Sequence, residues 1–533
     1  MEPMAAPLGR MKRPAAAAAS SEATPKRPAG RASSARGAVG GSSSSTAGKA
    51  GSEVGASKKV VEAMKNPTTN ILRNVLDRQM GCMSAEDKAS VHKNAEAFKR
   101  VGGFRHGGLC SGSNVAYLST LTLFLTLLGL PACQNMFDVD KDKDKQAWLS
   151  DIVNKGIGKS CIFKEMGDMS DTHAECCTHN GLCRIPSGKD GPHLATCGFS
   201  CKDISKANPK RGVYSHGVKL AAGNTAFTLI CFWQYCTFHR LPFAICENVT
   251  EFLADTSSNL AEFSHMFGGI GYVFKHVIVD ASLWVAQRRK RVYFILLNLA
   301  KCRLTLSEGK ALLVKIVATI NSFEADRIPI KDTLLPRRAK RVRMELDECK
   351  LAAKERAPSA GEVRWPEQHL TEMHRKGLSH SSLADEGLSC NDWFQTLPER
   401  EQSVIKFKRQ ATPNAYSFDS SQSIDRATCS SNDDQVETTL ISTLLTGSSV
   451  WLNNEARLLL GWEACLLQCI PCPALPGAAH TSRKKLIAIA GDAFCGASYM
   501  QVLLGLMAHI PTDIDMDNRD EERDFVDNLI WEA

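Results

Sequence analysis

Cys201 stands in the stretch whose residue types best suit covalent chemistry. It follows the small-residue turn Cys197-Gly198-Phe199-Ser200 and precedes Lys202. A thiolate is a strong nucleophile towards carbon, and a nearby positive charge such as Lys202 favours the ionised form of the thiol. The chain holds twenty cysteines, however. The alternative is that Cys201 merely packs as a small hydrophobic side chain.

Two later motifs supply groups that such a nucleophile would need. The apolar segment Pro242–Ile245 runs into Glu247-Asn248-Val249, which predicts a short strand that ends in a carboxylate. Gln287-Arg288-Arg289-Lys290-Arg291 precedes the apolar run from Val292 to Leu297 and supplies guanidinium groups. Together with Cys201, the acid and the arginines indicate a site.

These three motifs, in this order, resemble those of the cytosine-5 DNA methyltransferase family. The family's nucleophile motif is Gly-Phe-Pro-Cys-Gln-x-x-Ser, its acid motif is Glu-Asn-Val and its arginine motif is Gln-x-Arg-x-Arg. In this chain they align with residues 198–205, 247–249 and 287–291. Ser200 stands where the family has Pro and Lys202 where it has Gln, so the loop lacks a ring that would restrict its backbone.

The resemblance implies a role for each of these residues. Cys201 would add to carbon 6 of a flipped cytosine while Glu247, kept partly protonated by burial, donates a proton to ring nitrogen 3. Asn248 would order the loop through backbone hydrogen bonds. Arg289 and Arg291 would hold the phosphate of the flipped nucleotide and the Cys201 loop, which would offset the cost of unstacking the base.

A second group of residues resembles the family's binding site for S-adenosylmethionine. Gly107 to Val115 form a small-residue turn between a predicted strand and helix, where a ligand can approach the backbone. Asp140 follows the next predicted strand, and an acid at that position suits the ribose hydroxyls. The resemblance implies that Asp168 lies beside the adenine. It also implies that Gly491-Asp492-Ala493, which resembles the family's last motif, returns to the cofactor pocket. Compared with the family, Cys110 replaces a Phe, Asn114 a Gly and Asp492 an Asn. The residues assigned to the cofactor are Cys110, Ser111, Gly112, Asp140, Asp168 and Asp492.

The elements between these motifs predict how they come together. Asn135 to Asp140 and Ile162 to Asp168 are predicted strands. Cys201 and Glu247 are 46 residues apart, and Glu247 and Arg289 are 42 residues apart. Each interval accommodates a loop and a helix between adjacent parallel strands, which would bring the three motifs to one edge of an α/β sheet.

We therefore predict an α/β fold: a doubly wound, mostly parallel Rossmann-like methyltransferase sheet with a smaller, irregular target-recognition lobe and disordered termini. Residues 452–462 resemble the family's penultimate motif, a helix that packs against this lobe.

The basic run from Pro336 to Arg343 would contact phosphates, unless it is a solvated helix face or an import signal. The predicted parts are a disordered basic arm (1–60), a helical lead-in (61–100), the first part of the catalytic domain (101–300), the target-recognition lobe (301–447), the returning part of the catalytic domain (448–510) and an acidic tail (511–533).

Charge and cysteine content limit the classes of protein. The formal net charge is +8, with ten Lys or Arg against three Asp or Glu in residues 1–60 and two Arg against nine Asp or Glu in residues 513–533. A basic body and arm suit a polyanionic partner. Twenty cysteines in 533 residues are too few for a disulfide-stapled secreted protein, which indicates a reducing compartment. The basic arm favours localisation in the nucleus, with a plastid or mitochondrion as the alternative. Ala116 to Leu130 is too short to span a bilayer, so we expect no membrane association.

Cysteine and histidine residues crowd between the third predicted strand and Cys201. They lack the spacing of structural zinc sites, in which two ligand pairs are separated by a longer loop, so we expect no metal. These residues are His173, Cys176, Cys177, His179, Cys183, His193 and Cys197.

The function implied by the resemblance is the transfer of a methyl group from S-adenosylmethionine to carbon 5 of cytosine in duplex DNA, through a covalent Cys201 adduct on a flipped base. Two alternatives stay open. The substrate could be a cytosine in an RNA such as tRNA, since the same pocket would serve either polymer. The departures at Ser200, Lys202, Asn114 and Asp492 are also compatible with a methyltransferase-like protein that binds nucleic acid without turnover.

Overall fold

The computed structural model describes residues 58–155, 158, 160–205, 223–254, 258–356, 365–378, 387–424, 440–475 and 477–516. Most of the predicted basic arm and acidic tail, residues 1–57 and 517–533, therefore lies outside the described residues. The first helix begins at Lys58, so the arm predicted to end at residue 60 is shorter by three residues.

The helices and strands are numbered here in chain order. They are α1 Lys58–Lys65, α2 Ile71–Cys82, α3 Ala85–Arg100, β1 Phe104–Leu109, α4 Val115–Leu128, β2 Cys133–Val139, α5 Lys143–Trp148, β3 Cys161–Phe163, β4 His173–Cys176, β5 Gly181–Arg184, β6 Leu194–Cys197, α6 Gly223–His239, β7 Phe243–Asn248, α7 Asn259–Gly268, β8 Tyr272–Asp280, β9 Lys290–Asn298, α8 Leu306–Asn321, α9 Lys340–Lys354, α10 Trp365–Arg375, α11 Asp392–Gln395, α12 Glu399–Ala411, β10 Ser417–Asp419, β11 Val450–Leu452, β12 Arg457–Leu458, α13 Gly461–Leu467, α14 Arg483–Asp492 and α15 Gly496–His509.

Within the described residues, nine strands form one sheet in the order β5-β4-β3-β2-β1-β6-β7-β9-β8. The central five, β3-β2-β1-β6-β7, run parallel, and the pairs at both ends are antiparallel. Helix α4 connects β1 to β2, and α5 with the π-helical turn Leu149–Asn154 connects β2 to β3. The predicted α/β fold with a mostly parallel sheet is confirmed.

Apolar helices cover both faces of this sheet. One face carries Leu118 of α4, Ile316 of α8 and Leu503 of α15, and the other carries Phe232 of α6 and Phe263 of α7; all five are buried. A parallel strand that is covered on both faces needs apolar side chains in both directions. This explains why every residue of β7, including its final carboxylate and amide, is buried.

Two sequence predictions about element boundaries are wrong. The third strand ends at Phe163, and the residues predicted to continue it form the 3₁₀ turn Met166–Ser170. Helix α8, which we placed in the target-recognition lobe, packs against β8 and α15 of the main sheet. An amphipathic helix follows the nearest apolar face, and here that face belongs to the sheet.

The segment 452–462, predicted as a helix, is instead the end of β11, a turn, β12 and the start of α13. Arg457 and Glu463 form a paired, two-point contact in which Nη2–Oε1 is 2.7 Å and Nη1–Oε2 is 2.8 Å. The same carboxylate accepts the backbone N–H of Leu335 at 2.7 Å. One buried ion pair therefore connects β12, α13 and the segment around Leu335 that precedes α9.

Among the described residues, one candidate membrane span was found, and it lies in the C-terminal helices. Arg483–His509 is long and apolar enough to cross a bilayer, but 83% of the tested window is buried inside the protein. Gly505 lies so close to the side chain of Ile320 that a Cβ there would clash with it. This burial is typical of a helix in the core of a protein.

We predict that Arg457→Ala strongly destabilises the protein. Its side chain is 3% exposed and that of Glu463 is 0% exposed, so the substitution leaves a buried carboxylate without its cation and should cost about 3–5 kcal/mol. Urea unfolding measures the loss. Arg337→Ala is the matched control, because its pair with Glu455 is 66% exposed on the arginine side and should change stability by less than about 1 kcal/mol. Equal losses in the two variants would contradict the prediction.

Candidate active site

The Cys201 loop leaves the end of β6 and is held against the start of α6. The N–H of Ser200 donates to Thr228 Oγ1 at 2.9 Å, and Asp203 Oδ2 accepts the N–H of Thr225 at 2.7 Å. A Cβ at Gly198 would lie 3.4 Å from the ring of Phe494 and 3.9 Å from the carbonyl oxygen of Cys110. The loop is thus packed between the β1–α4 turn and the returning segment.

Ser200 gives this loop contacts that a proline could not make. Proline has no backbone N–H, so the bond to Thr228 is possible because a residue other than proline stands at position 200. The Ser200 hydroxyl also accepts the N–H of Lys202 at 3.3 Å. Two hydrogen bonds therefore take over part of the restraint that the ring provides in the family.

Glu247 and Asn248 lie at the end of β7, directly beside the Cys201 loop. Strand β7 pairs with β6 in parallel, with Cys246 opposite Cys197. Asn248 Nδ2 donates to the carbonyl oxygen of Phe199 at 2.9 Å. The structure thus brings Asn248 to the loop backbone, which is the contact that the resemblance implied.

Arg291 lies on β9, which pairs with the other side of β7. Its Nε is 2.9 Å from Glu247 Oε1, and both side chains are largely buried at 13% and 11% exposure. The contact is an ion pair without hydrogen-bond alignment, since Glu247 Oε1 has no hydrogen-bond partner in the described structure. The Glu247 carboxylate is thus held next to a cation inside the protein.

None of the described hydrogen bonds of Arg289 reaches the Cys201 loop, and its implied role in holding phosphate stays a prediction. Its side chain is buried. Nη2 donates to the carbonyl oxygen of Ala493 at 2.6 Å, and Nη1 donates to those of Leu444 and Gly491 at 3.4 Å. A buried guanidinium group must find its hydrogen-bond acceptors within the protein. Through these carbonyl groups, Arg289 connects β9 to the segment 444–493.

The charges around Cys201 act in opposite directions. Burial, reinforced by the Glu247 carboxylate, raises the pKa of the Cys201 thiol, whereas Arg291 and Arg289 lower it. The net shift is upward, so the resting group is a thiol. Sequence reasoning expected Lys202 to favour the thiolate, but the largest cationic contributions come from the two arginines.

Three residues of the turn after β1 adopt left-handed backbone conformations. The φ angles are 53° at Cys110, 52° at Gly112 and 59° at Asn114. Asn is one of the few side chains that tolerate this region. Asn114 can therefore replace the family's glycine without changing the path of the turn, and its side chain donates to Asp138 Oδ2 at 2.9 Å.

Asp140 follows β2 and connects two loops at the edge of the sheet. One of its oxygens accepts the N–H of Gly112 at 3.0 Å, and the other accepts the N–H of Asp142 at 3.0 Å. Ser111 Oγ accepts the N–H of Val139 at 3.2 Å and ties the same two strands together. The predicted cofactor residues Ser111, Gly112 and Asp140 thus lie side by side.

Sequence reasoning missed Asp138 and Lys145 at this site. Burial raises the pKa of Asp138 to about 7. Lys145, in the first turns of α5, lies 2.6 Å from Asp492 Oδ2 and within electrostatic range of Asp140. The position of Lys145 shortly after a strand, at the edge of the sheet where such folds bind ligands, was the signal available in the sequence.

Asp168 reaches the same region from the 3₁₀ turn after β3. The thiol of Cys231 on α6 lies within electrostatic range of both Asp168 and Cys110. Cys110 Sγ is 3.3 Å from the Sδ atom of Met166, which lies in the same 3₁₀ turn as Asp168. The residues assigned to the cofactor therefore come from the turns after β1, β2 and β3 and, in the case of Asp492, from the last residue of α14.

The expectation of no metal site conflicts with the arrangement of side chains in the β3–β5 region. Cys176, His179 and Cys183 come together with Cys161, a residue that sequence spacing did not single out. The other members of the predicted group, His173, Cys177, His193 and Cys197, are not part of this cluster. The signal lies in antiparallel strand pairing, which places Phe163 at the end of β3 opposite Cys176 at the end of β4 and so brings Cys161, two residues before Phe163, into the same region.

We predict that Thr228→Val loosens the Cys201 loop. The substitution removes the acceptor of the Ser200 N–H, which should cost about 1 kcal/mol and speed amide hydrogen exchange at Ser200 roughly fivefold. Hydrogen exchange read by mass spectrometry over residues 198–205 checks this. Thr237→Val is the matched control on the same helix, because Thr237 only bonds back to the Trp233 carbonyl oxygen. No difference between the variants would contradict the assigned contact.

A sequence profile of the C-5 cytosine-specific DNA methylase family matches residues 192–495. Among solved structures, the chain is similar to an E. coli prophage-encoded protein described as a DNA modification methyltransferase, with 12% identity over 76% of this chain and 98% of that chain and a TM-score of 0.39. It is also similar to the S. pombe Dnmt2 methyltransferase, with 12% identity over 76% and 98% of the two chains and a TM-score of 0.35. A comparison with curated proteins returned no match.

The profile match is the finding that decides the family. It spans more than half of the chain and includes Cys201, Glu247, Arg291 and Asp492. The resemblance noted from three short motifs is thereby confirmed. The protein belongs to the C-5 cytosine-specific DNA methylase family, whose members methylate cytosine in DNA.

Proposed function

We propose that Cys201 and Glu247 carry out cytosine methylation in DNA on a base turned out of the duplex, with S-adenosylmethionine as the methyl donor. The observation that supports this most directly is the meeting of three motifs, distant in sequence, at the ends of β6, β7 and β9. Cys201, Glu247 and Arg291 influence one another there electrostatically.

The proposed chemistry starts from the low reactivity of cytosine carbon 5. Addition of Cys201 Sγ to carbon 6, with a proton placed on ring nitrogen 3 by Glu247, converts the ring to an enamine whose carbon 5 is nucleophilic. After carbon 5 has gained its methyl group, loss of its proton to a water molecule and departure of the Cys201 thiolate restore the aromatic ring. Glu247 receives the nitrogen 3 proton back in the same step.

The resting site and the reactive site differ by the position of one proton. The chemistry needs a thiolate and a carboxylic acid. The raised pKa of Cys201 and the Arg291–Glu247 ion pair describe a thiol and a carboxylate instead. Transfer of the thiol proton to Glu247, directly or through water, supplies both reactive groups together. Arg291 and Arg289 then stabilise the thiolate that remains.

The residues at the sheet edge fit S-adenosylmethionine. The donor sets match its parts: the Asp140 carboxylate suits ribose hydroxyls, and the oppositely charged Asp492 and Lys145 suit its amino and carboxylate groups. Gly108 permits the close approach of the loops, since a Cβ there would clash with Ser111 Oγ and lie 2.6 Å from Asp138 Oδ1. When bound, S-adenosylmethionine supplies a methyl group made electrophilic by its sulfonium.

Base extrusion is proposed because carbon 6 and nitrogen 3 of a stacked, paired cytosine are out of reach of a thiol and a carboxylate in a pocket. Since Arg289 is buried, contacts to the DNA backbone must come largely from other cations. Arg338, Lys340 and Arg343 are exposed around the start of α9. We assign them to phosphate contacts, which position DNA without reading its sequence.

We predict that duplex DNA containing 5-fluorocytosine, incubated with S-adenosylmethionine, forms a covalent adduct with this protein. Fluorine at carbon 5 cannot leave as a cation, so the thioether to Cys201 persists and is seen as a shifted band on a denaturing gel. Cys201→Ser should form no adduct, while Cys390→Ser, at an exposed cysteine, should behave as wild type. Glu247→Gln should slow the adduct roughly 10²–10⁴-fold.

Two outcomes of that experiment would overturn the proposal. An adduct that persists in Cys201→Ser would contradict the nucleophile. An adduct with a 5-fluorocytosine tRNA transcript and none with duplex DNA would replace the DNA substrate with RNA.

We predict that Asp140→Asn weakens S-adenosylmethionine binding roughly ten- to a hundredfold. Asn keeps one carbonyl oxygen but loses the charge that strengthens hydrogen bonds to ribose, a loss of about 1.5–3 kcal/mol. Isothermal titration calorimetry measures the affinity. Asp144→Asn is the control, since Asp144 pairs with Lys485 at the surface and should leave binding unchanged. Unaltered affinity in Asp140→Asn would place the ribose elsewhere.

A further inference from the structure

Three cysteines and one histidine converge at the edge of the sheet that ends in β5. Cys161 begins β3, Cys176 ends β4, His179 lies in the following turn and Cys183 lies in β5. Their ligand atoms all lie within 4.8 Å of one another. His179 Nδ1 is 3.6 Å from Cys161 Sγ, 3.5 Å from Cys176 Sγ and 3.3 Å from Cys183 Sγ.

These separations are close to the edges of a tetrahedron of ligands around zinc. With bonds of about 2.3 Å to sulfur and about 2.0–2.1 Å to nitrogen, a tetrahedral zinc ion holds sulfur and nitrogen roughly 3.6 Å apart. Thiolates and imidazole are also the donors that zinc prefers over the harder divalent cations. We propose that Cys161, Cys176, His179 and Cys183 bind one zinc ion.

Four protein ligands leave zinc no open coordination position, so the proposed site is structural. The four residues also lie outside residues 192–495, the segment that matches the family profile. The profile match therefore does not bear on this site, and none of its four residues belongs to the motifs assigned to cytosine.

The edge of the sheet formed by β3, β4 and β5 is held by few backbone hydrogen bonds, so a metal cross-link there would stabilise it. Strands β3 and β4 have three and four residues and share one register pair, Phe163 with Cys176. Around that pair, the Cys177 N–H donates to the Ile162 carbonyl oxygen at 2.7 Å and Thr178 Oγ1 donates to the Ser160 carbonyl oxygen at 3.0 Å. A zinc ion would join β3, β4, β5 and the turn between the last two at a point where the ladder is short.

The cross-link also has a consequence for the cofactor pocket, and this part rests on the proposed function. The turn Met166–Ser170 connects β3 to β4, so ligands on these strands flank it on both sides. Met166 Sδ lies 3.3 Å from Cys110 Sγ in the turn after β1. Zinc would hold this wall of the pocket in place.

The test is the metal content of the full-length protein purified under reducing conditions. Inductively coupled plasma mass spectrometry should find about one zinc per chain in the wild type and almost none in Cys176→Ser/Cys183→Ser. Cys177→Ser is the matched control, because Cys177 is in the same hairpin but outside the cluster, and it should retain about one zinc. Cobalt substitution of the wild type should give the visible absorption of tetrahedral cobalt with thiolate ligands, which does not depend on any variant folding.

Zinc-free wild-type protein, a different bound metal, or equal zinc content in Cys176→Ser/Cys183→Ser and the wild type would overturn the site. A disulfide among the three cysteines, found by mass spectrometry of the protein as isolated, would overturn it as well. One zinc per chain, lost in the double variant, supports the site whatever the activity of the enzyme. If loss of that zinc leaves S-adenosylmethionine affinity unchanged, the link to the pocket is wrong while the metal site stands.

Discussion

The side-by-side pairing of β6, β7 and β9 is the constraint on which the whole site depends. Strand β7 is in the middle, and its last two residues connect to both neighbours: Asn248 donates to the backbone of the Cys201 loop, and Glu247 pairs with Arg291 on β9. The strands are buried on both faces, so their ends cannot move apart without opening the core. A thiol, an acid and a cation that are far apart in sequence are thereby held close enough to influence one another electrostatically.

At two positions where the chain departs from the family pattern, Ser200 and Asn114, other hydrogen bonds or backbone conformations stabilise the loop and the turn. Ser200 lacks the ring of proline but gains an N–H that bonds to Thr228. Asn114 has a side chain where the family has none, yet it adopts the left-handed backbone at a φ of 59° and bonds to Asp138. These substitutions keep the loop and the turn in place, which favours an active enzyme over a scaffold that binds without turnover.

Local patterns in the sequence predicted the strand that precedes Asp140, the strand that carries Glu247 and the order of the motifs, because strand periodicity and the spacing of family motifs are local properties of a sequence. They could not predict that Arg289 turns inward, since its carbonyl partners near Leu444 and Ala493 lie more than 150 residues away in sequence. The Cys161 cluster was missed for a similar reason: its first ligand is brought in by strand pairing. The predictions for the short strands β3, β11 and β12 were wrong because strands of two or three residues are too short to show an alternating hydrophobic pattern.

The central claim is that Cys201 and Glu247 act together on one cytosine, and exchange of the hydrogen on carbon 5 tests it without the methyl donor. Addition of the thiolate to carbon 6 makes carbon 5 basic, so a tritium label there should be released into water from duplex DNA incubated with the protein alone. The account predicts release by the wild type and none above background by Cys201→Ala or Glu247→Gln. Release by Cys201→Ala at the rate of the wild type would contradict it.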